Sequence, residues 1–178
     1  KRKAVRKQLG LDDCFVIGTI GRLAEQKNHK FLIKLLPSLR DAMKNVRVVI
    51  VGDGPLKEHL LSLAESLNVA NQIILAGSQH DIQGYLSAFD VFAFPSWYEG
   101  LSLSILEAQY NELPCVVSEG IGESSVISTN LIKIPLSNEE AWIKALLSAK
   151  RTPCSLIEDR AKLFRLDNIR GISLTLFR

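Results

Sequence analysis

Six short and almost entirely apolar runs recur along the chain, and they constrain its fold more than any other feature. The runs span 14–20, 46–52, 72–77, 90–95, 114–118 and 131–135. They are nearly continuous in apolar residues and rich in Val, Ile and Phe, which is typical of strands buried on both faces. Because a strand with one wet face would alternate apolar and polar residues, the runs predict a mostly parallel sheet with helices on both faces.

Longer segments between these runs carry apolar residues at the i, i+3, i+4 spacing of amphipathic helices. The segments span 29–44, 55–68, 81–89, 103–111 and 138–150. Alternation of strands and helices predicts a doubly wound α/β fold of the Rossmann-like type. We assign residues 1–150 to this α/β domain and residues 151–178 to a C-terminal helical tail.

Three residues refine the predicted helices. Pro55 fits the first turn of a helix, where its missing N–H leaves no hydrogen bond unmade. Asn138 precedes two glutamates and is predicted to cap the N-terminus of the last helix. Pro37 lies inside the first helical segment, where we expect a kink or a break.

Charge and composition indicate an ordinary globular protein. The chain has 22 Lys and Arg against 19 Asp and Glu, a net charge of +3, and we predict no nucleic-acid partner. The basic start, KRKAVRK, is interpreted as a solvated helix or linker end, with a patch for anionic lipid or a neighbouring domain as the alternative. No apolar run approaches the roughly 20 residues that span a bilayer. Three widely spaced cysteines fit a reducing cytosol.

The first candidate binding residues follow the first predicted strand, because ligands of open α/β sheets bind beyond the carboxyl ends of strands. The segment GRLAEQKN (21–28) offers Gly21 for a tight turn, and Arg22 and Lys27 near the start of the next helix. A helix N-terminus with two cations beside it is a good anion site and suits a diphosphate. Two solvated loop cations are the alternative interpretation.

The segment GDGP (52–55) follows the second predicted strand. Its two glycines permit close approach of another backbone, and Asp53 is a candidate cap for the helix behind Pro55. The chain has neither G-x-G-x-x-G nor a Walker A sequence, which disfavours dehydrogenases and P-loop enzymes. It also lacks Asp-x-Asp and any zinc-like spacing of Cys and His, so we predict no bound metal.

Two glutamates stand out in the run YEGLSLSILEAQ (98–109), which otherwise holds mostly apolar and small residues. Eight residues separate Glu99 from Glu107, and eight residues of helix rise about 12 Å, a poor fit for two carboxylates that flank one bond. We expect Glu99 in a loop, 100–102 at a helix mouth and Glu107 two turns inside, each carboxylate reaching a different part of one elongated ligand. A helix-capping Glu99 and a surface salt bridge from Glu107 are the alternative.

Five segments occur in an order that is specific to one enzyme family. They are GRLAEQKN, VRVVIVGDGP, IILAGSQHDI, DVFAFPSWYEGLSLSILEA and LPCVVSE. Together they resemble the C-terminal, donor-binding half of a family 4 glycosyltransferase with the GT-B fold, over roughly residues 5–150. The resemblance implies retaining, metal-independent transfer of a sugar from a nucleotide sugar, UDP- or GDP-linked, to an acceptor in polysaccharide biosynthesis.

The resemblance also implies roles for the matching residues. Arg22 and Lys27 hold the diphosphate, Glu99 contacts the donor sugar, Glu107 takes the ribose hydroxyls, and the loop near Gln79 meets the base through its backbone. The implied catalytic residues are Arg22, Lys27 and Glu99. The implied donor-binding residues are Gly21, Arg22, Lys27, Gln79, Glu99, Gly100, Leu101, Ser102, Leu103 and Glu107, with backbone amides of 100–103 along the sugar-phosphate. No cofactor beyond the nucleotide-sugar substrate is implied.

Three features depart from the family pattern. Ser102 replaces the second glycine of E-G-x-G-L, which narrows the room at the helix mouth. Glu112 replaces the glycine before the LPVV-like strand, and EGIGESS (119–125) replaces a G-G-x-P-E turn. Ser102 and the EGIGESS turn favour one alternative, a non-catalytic module that binds nucleotide sugars. A second alternative, a nucleotide-sugar epimerase, follows from the similar architecture of that family.

In this family the acceptor site belongs to an N-terminal domain, which this sequence does not supply. We therefore expect the chain alone to bind donor weakly and to transfer nothing. Its expected partners are that domain and a glycan or lipid-linked acceptor, and its expected location is the cytoplasm, peripheral on the inner membrane face. Apolar residues of the tail, such as Leu163 and Phe164, are expected to be exposed or to pair with another chain.

Overall fold

The structure is a computed structural model that describes residues 1–151. In this part of the chain the α-helices are α1 (Arg2–Leu9), α2 (His29–Ala42), α3 (Lys57–Ser66), α4 (Ile82–Ala88), α5 (Leu103–Tyr110) and α6 (Glu139–Ser148). The strands are β1 (Phe15–Ile20), β2 (Val46–Val51), β3 (Ile73–Gly77), β4 (Val91–Phe94), β5 (Cys115–Ser118) and β6 (Leu131–Ile134). They form one parallel sheet in the order β3-β2-β1-β4-β5-β6. The predicted doubly wound α/β fold is confirmed, and the predicted tail beyond 151 lies outside the described residues.

Helices cover both faces of the sheet, and each face has its own apolar cluster. On one face α2, α3 and α6 pack together, and the rings of Phe31 and Trp142 meet edge-on with centroids 5.1 Å apart. On the other face α1, α4 and α5 pack around Phe89. A Cβ added to Gly18 in β1 would lie 1.9 Å from the Phe89 ring, so the core itself requires glycine in this central strand.

The strand order reverses between β1 and β4, which are neighbours in the sheet although 74 residues separate their paired positions such as Ile17 and Val91. In an open parallel sheet this reversal opens a crevice beyond the carboxyl ends of the two strands, and ligands bind there. The β1–α2 loop (21–28) and the β4–α5 loop (95–102) border this crevice. Both loops contain residues that the sequence marked as candidates.

The helix predictions at Pro37 and Asn138 have opposite outcomes. α2 continues through Pro37, so the predicted break is wrong. Leu35, Leu36 and Leu39, which lie on the buried face of α2 around the proline, are almost completely buried, and their packing offsets the hydrogen bond that proline cannot make. The prediction for Asn138 is confirmed, because its Oδ1 accepts the N–H of Ala141 at 3.1 Å.

The basic N-terminal segment forms α1, and its interpretation as a solvated helix holds for the exposed Lys1, Lys3 and Lys7 but not for its two arginines. Arg6 is only 7% exposed and lies 3.2 Å from the Asp90 carboxylate, to which Arg2 also donates at 2.6 Å. Arg2 donates to the Phe89 carbonyl as well, at 2.8 Å, and Arg151 donates to the same oxygen at 3.2 Å. Cations stabilise the carbonyls at the end of α4, where the helix dipole is negative.

The sequence predicted neither a membrane-spanning segment nor a metal site, and residues 1–151 can be examined for both. Among the helices of this range, none has both the length and the apolar character needed to cross a bilayer. Nor does this range bring three or more His, Cys, Asp or Glu side chains close enough to hold a metal ion. Cys14 forms no disulfide within residues 1–151.

Glu112 follows α5 with its backbone in the left-handed region, at φ 56°. A residue with a Cβ is strained in this conformation by about 1 kcal/mol relative to glycine. The backbone geometry therefore explains why a glycine is usual at this position in the resembled family.

We expect Glu112→Gly to raise the free energy of unfolding by about 1 kcal/mol, because it relieves the left-handed strain. Urea denaturation would measure the change. Glu112→Ala is the control, since it removes the exposed carboxylate and keeps the strain, and it should give no gain. Equal stabilisation by both variants would show that the carboxylate, and not the backbone, is responsible.

His29 begins α2 and is 2% exposed, and neither ring nitrogen has a hydrogen-bond partner within residues 1–151. Burial, with a smaller contribution from the charge of Lys27, lowers the pKa of His29 from 6.5 to about 4. Between these values the unfolded chain binds a proton that the folded chain excludes. The stability that depends on neutral His29 is therefore complete above pH 6.5 and decreases as the pH falls toward 4.

Lowering the pH from about 7.5 to about 5 should cost about 2 kcal/mol of folding free energy through His29 alone. His29→Leu should lose correspondingly less stability over the same pH interval, because leucine does not titrate. Denaturation curves at both pH values would measure this difference. The exposed His80 offers a matched control, and a His80→Leu variant with the same altered pH dependence would contradict the assignment.

Candidate functional site

Glycines bring the β1–α2 loop into backbone contact with the β2–α3 loop (52–56). A Cβ added to Gly52 would lie 2.1 Å from the carbonyl oxygen of Gly21, and one added to Gly54 would lie 2.6 Å from that of Leu23. The Leu23 N–H donates to the carbonyl of Asp53 at 2.9 Å. The predicted close approach of another backbone at GDGP is confirmed. This contact fixes the position of the β1–α2 loop.

The predictions for the side chain of Asp53 and for Pro55 differ from the structure. Asp53 Oδ1 accepts the N–H of Gly54 at 2.8 Å, and α3 begins only at Lys57 without a side-chain cap. Pro55 lies in the turn before the helix, which the Lys57 N–H closes by donating to the Gly54 carbonyl at 3.3 Å. The carboxylate is engaged inside this turn and therefore does not cap α3.

Lys27 and Glu99 form an ion pair across the crevice between the β1 and β4 loops. Lys27 Nζ lies 2.5 Å from Glu99 Oε1 and 5.0 Å from the centroid of the Phe94 ring. The same Oε1 accepts from Ser96 Oγ at 3.0 Å and from Gln26 Nε2 at 3.1 Å. An ammonium group has three N–H donors, so the ion pair leaves donors of Lys27 for a ligand.

Hydrogen bonds from residues that the sequence did not mark as candidates join these two loops. The Trp97 N–H donates to the carbonyl of Gln26 at 2.9 Å, and Asn28 Nδ2 donates to the carbonyl of Pro95 at 3.2 Å. Asn28 adopts the left-handed conformation at φ 51°, which asparagine tolerates better than most residues. Gln26 and Asn28 lie inside the segment GRLAEQKN, but their partners are about 70 residues away in the sequence.

Arg22 occupies the exposed part of the β1–α2 loop. Across residues 1–151 its guanidinium makes no hydrogen bond or ion pair with another side chain or carbonyl. An unpaired guanidinium beside a crevice can bind a carboxylate or phosphate through two parallel hydrogen bonds. Gly21, which precedes it, donates its N–H to the Val51 carbonyl at 2.9 Å and fixes the start of the loop.

The residues around the N-terminus of α5 have the predicted order, but Glu107 lies closer to the N-terminus than predicted. Glu99 lies in the β4–α5 loop, 100–102 precede α5, and Glu107 is the fifth residue of the helix. Glu107 therefore lies just over one turn from the mouth, and not two turns as expected. The capping alternative for Glu99 is wrong, because the N-cap residue of α5 is Ser102.

The amides at the mouth are not equally available. Ser102 is 4% exposed, its N–H donates to Ser125 Oγ at 2.9 Å, and its hydroxyl lies 3.2 Å from Ser104 Oγ. The prediction that the Ser102 amide faces a ligand therefore differs from the structure, and so does the prediction that its side chain narrows the mouth. The N–H groups of Leu103 and Ser104 have no acceptor within residues 1–151, and Gly100 and Leu101 are exposed.

Glu107 is half-buried, and its carboxylate has no partner within residues 1–151. Burial raises the pKa of this carboxyl. The predicted alternative of a surface salt bridge is therefore wrong for the described residues. An unpaired, partly desolvated carboxylate is costly for a fold, and such groups cluster at sites that bind ligands.

The β3–α4 loop (78–81) follows the edge strand β3 at the carboxyl edge of the sheet, on the same edge as the crevice. Gln79 is half-buried, and its Nε2 donates to the Ala76 carbonyl at 2.5 Å. Its side chain is thus engaged within the loop, while the N–H groups of 78–80 have no acceptor in the described chain. This arrangement leaves the backbone of the loop for contact with a ligand.

Sequence comparison places the chain among sugar transferases. The family model of glycosyl transferases group 1 matches residues 1–163. The putative glycosyltransferase EpsF of Bacillus subtilis is 34% identical over 139 residues, which cover 77% of this chain and 36% of EpsF. The UDP-Gal:alpha-D-GlcNAc-diphosphoundecaprenol alpha-1,3-galactosyltransferase of Escherichia coli is 35% identical over 147 residues, which cover 79% of this chain and 38% of that enzyme. The chain thus spans less than two fifths of these curated relatives.

Structural comparison agrees on the fold. Anabaena HepE, solved in complex with UDP and glucose, matches with a TM-score of 0.71 at 22% identity, over 98% of this chain and 51% of HepE. The predicted GT-B architecture is confirmed, and the narrower assignment to family 4 stays a prediction. Because the family model matches most of the sequence, this chain belongs to the glycosyl transferases group 1 family.

Proposed function

We propose that residues 1–150 are the donor-binding domain of a glycosyltransferase that takes a nucleotide diphospho-sugar as its substrate. The Lys27–Glu99 ion pair carries this proposal, because it sets a cation and a carboxylate side by side at the reversal point of the sheet. That point is where open α/β sheets bind nucleotides. The family assignment supports the same class of substrate.

The diphosphate would lie between the β1–α2 loop and the mouth of α5. Lys27 retains donors beyond its ion pair, Arg22 has no partner in the described chain, and the first amides of α5 have no acceptor. Charge-assisted hydrogen bonds and a helix N-terminus both favour phosphate oxygens. These groups would also stabilise the negative charge that develops on the leaving diphosphate.

The two glutamates would hold opposite ends of the donor. Glu107, which is half-buried and has no partner within residues 1–151, suits the vicinal hydroxyls of the ribose. The contacts of Glu99 converge on Oε1, and its Oε2 accepts from no group in residues 1–151, which leaves this oxygen for a sugar hydroxyl. We propose that the β3–α4 loop meets the base through its backbone near Gln79.

In the transfer, the bond from sugar C1 to the diphosphate oxygen breaks as the acceptor oxygen bonds to C1, and the proton of the acceptor hydroxyl passes to the leaving diphosphate oxygen. We propose retention of the anomeric configuration, following the resemblance to family 4. Catalysis would come from positioning and from charge stabilisation by Arg22 and Lys27, with Glu99 orienting Lys27. No residue of the described chain is assigned a metal in this scheme.

The relatives suggest the wider setting of the reaction. The Escherichia coli relative is named for a UDP-sugar donor and a diphosphoundecaprenol-linked acceptor. We propose a UDP-sugar, with a GDP-sugar as the alternative, and a lipid-linked glycan acceptor at the cytoplasmic face of a membrane, in polysaccharide biosynthesis. Further parts of the full-length protein would supply the acceptor site, as the limited coverage of the relatives suggests.

Arg22→Ala and Lys27→Ala should each weaken nucleoside diphosphate binding by at least about 10-fold and leave binding of the nucleoside unchanged, since both cations would contact only phosphate. Calorimetric titration with UDP, GDP and ADP, with and without EDTA, would measure this and identify the base. Lys34→Ala, at an exposed position on α2, is the matched control. Equal loss of nucleoside and nucleoside diphosphate binding would refute the diphosphate assignment.

Glu99→Gln and Glu107→Gln should separate the two carboxylates. Glu99→Gln removes the negative charge beside Lys27, so nucleoside diphosphate should bind a few-fold tighter while the extra affinity of the nucleotide sugar is lost. Glu107→Gln should weaken every ligand that carries a ribose, by roughly 10-fold. The reverse pattern in titrations would mean that the two roles are exchanged, and Glu25→Gln, an exposed surface partner of Lys30, is the control.

A further inference from the structure

A buried glutamine ties the β5–β6 loop (119–130) to α5. Gln109 is fully buried, and its Oε1 accepts the N–H groups of Ile127 and Ser128 at 2.9 and 3.0 Å. Its Nε2 donates to the carbonyls of Ile105 and Ser125 at 3.1 and 2.7 Å. Every hydrogen-bonding site of this amide is used. A leucine or methionine would pack on the same apolar face of α5 without desolvating an amide, so what the glutamine adds is a defined position of the loop.

Ser125 extends this connection to the helix mouth. Its side chain is fully buried, and Oγ accepts the N–H of Ser102 at 2.9 Å while it donates to the Gly100 carbonyl at 3.1 Å. The neighbouring Ser124 also donates to the Gly100 carbonyl at 3.1 Å, but it is exposed and makes no contact with Ser102. One hydroxyl thus holds both the residue after Glu99 and the N-cap residue of α5.

The same loop fixes the backbone of Glu99. The Glu99 N–H donates to the Gly120 carbonyl at 3.1 Å, and the Gly122 N–H donates to the Glu99 carbonyl at 2.8 Å. A Cβ on Gly120 would lie 2.0 Å from the Trp97 carbonyl oxygen, so the two loops are in direct contact. The segment EGIGESS, which departs from the family turn, is therefore connected to the donor site by specific hydrogen bonds.

We propose that Gln109 and Ser125 are positioning residues of the donor site, a proposal that rests on the proposed function. Gln109 sets the place of Ser125, and Ser125 holds 100–102 so that Glu99 and the free amides of α5 point toward the sugar-phosphate. Because the Ser102 N–H donates to Ser125 Oγ, it is not available to bind an anion. The phosphate-facing donors at this mouth are then the N–H groups of Leu103 and Ser104.

The serine pair gives a matched test. In Ser125→Ala the Ser102 N–H loses its acceptor, so its hydrogen exchange, followed by NMR on the 178-residue chain, should become at least about 10-fold faster. Ser124→Ala removes a hydroxyl from the same carbonyl and should leave Ser102 unchanged. Calorimetry with the tightest of UDP, GDP and ADP should show about 5-fold weaker binding in Ser125→Ala only, with unchanged binding of the parent nucleoside.

The two readouts separate the possible failures. Equal Ser102 exchange in both serine variants would overturn the inference that Ser125 holds the mouth. Faster exchange with unchanged or tighter diphosphate binding would overturn the role in donor binding. If the unsubstituted chain binds none of the three nucleoside diphosphates, the proposed function and the donor role fail together, while the exchange rates still decide whether Ser125 holds the loop.

Gln109→Met tests the first step of the connection. We expect a lower unfolding temperature and faster exchange at both Ile127 and Ser102, because the loop loses its attachment to α5. Faster exchange at Ile127 alone would show that Gln109 does not act through Ser125. Should this variant fail to fold, the serine variants, which leave the glutamine contacts in place, still decide the proposal.

Discussion

Direct backbone contact between loops at the carboxyl edge of the sheet is the constraint on which the candidate site depends. Gly52 and Gly54 admit the loop after β1, and Gly120 and Gly122 admit the loop after β4, at distances that no Cβ could share. These backbone contacts fix the positions of both loops relative to the sheet, independently of the side chains that the loops carry. The Lys27–Glu99 ion pair can then form at 2.5 Å without long flexible segments between its partners.

The elements of the fold could be predicted because each depends on a local pattern. Buried parallel strands need continuous apolar runs, amphipathic helices need a period of 3.6 residues, and both patterns are visible in the sequence. The order of the strands could not be predicted, since the pairing of β1 with β4 depends on contacts between distant segments. Pro37 shows the same limit, because the buried residues around it outweigh a local preference.

For the candidate site, the sequence identified the charged residues proposed to meet a donor but not the residues that hold them in place. Arg22, Lys27, Glu99 and Glu107 could be named because charged groups after buried strands suggest ligands. Gln109 and Ser125 act through partners that only the fold brings near, so no spacing marks them. A polar residue on the apolar face of α5, four residues after Ile105, was the one local sign of Gln109.

The site region also contains groups that a fold selected for stability alone would avoid. Glu107 is partly desolvated without a partner, and His29 is buried beside the Lys27 loop with both nitrogens unsatisfied in the described chain. Folded domains are stable by only about 5–15 kcal/mol, so such groups persist where packing elsewhere offsets their cost. The two apolar clusters that sandwich the sheet supply that packing.

Two arginines that donate to the carbonyl at the end of α4 connect distant parts of the described chain. Arg2 and Arg151, from opposite ends of the described chain, donate to one carbonyl oxygen, that of Phe89, and Arg2 also pairs with Asp90. Asp90 precedes β4, so this junction lies at the amino edge of the sheet, away from the crevice. The start and the end of the described chain thus meet at the edge of the sheet opposite to the candidate site.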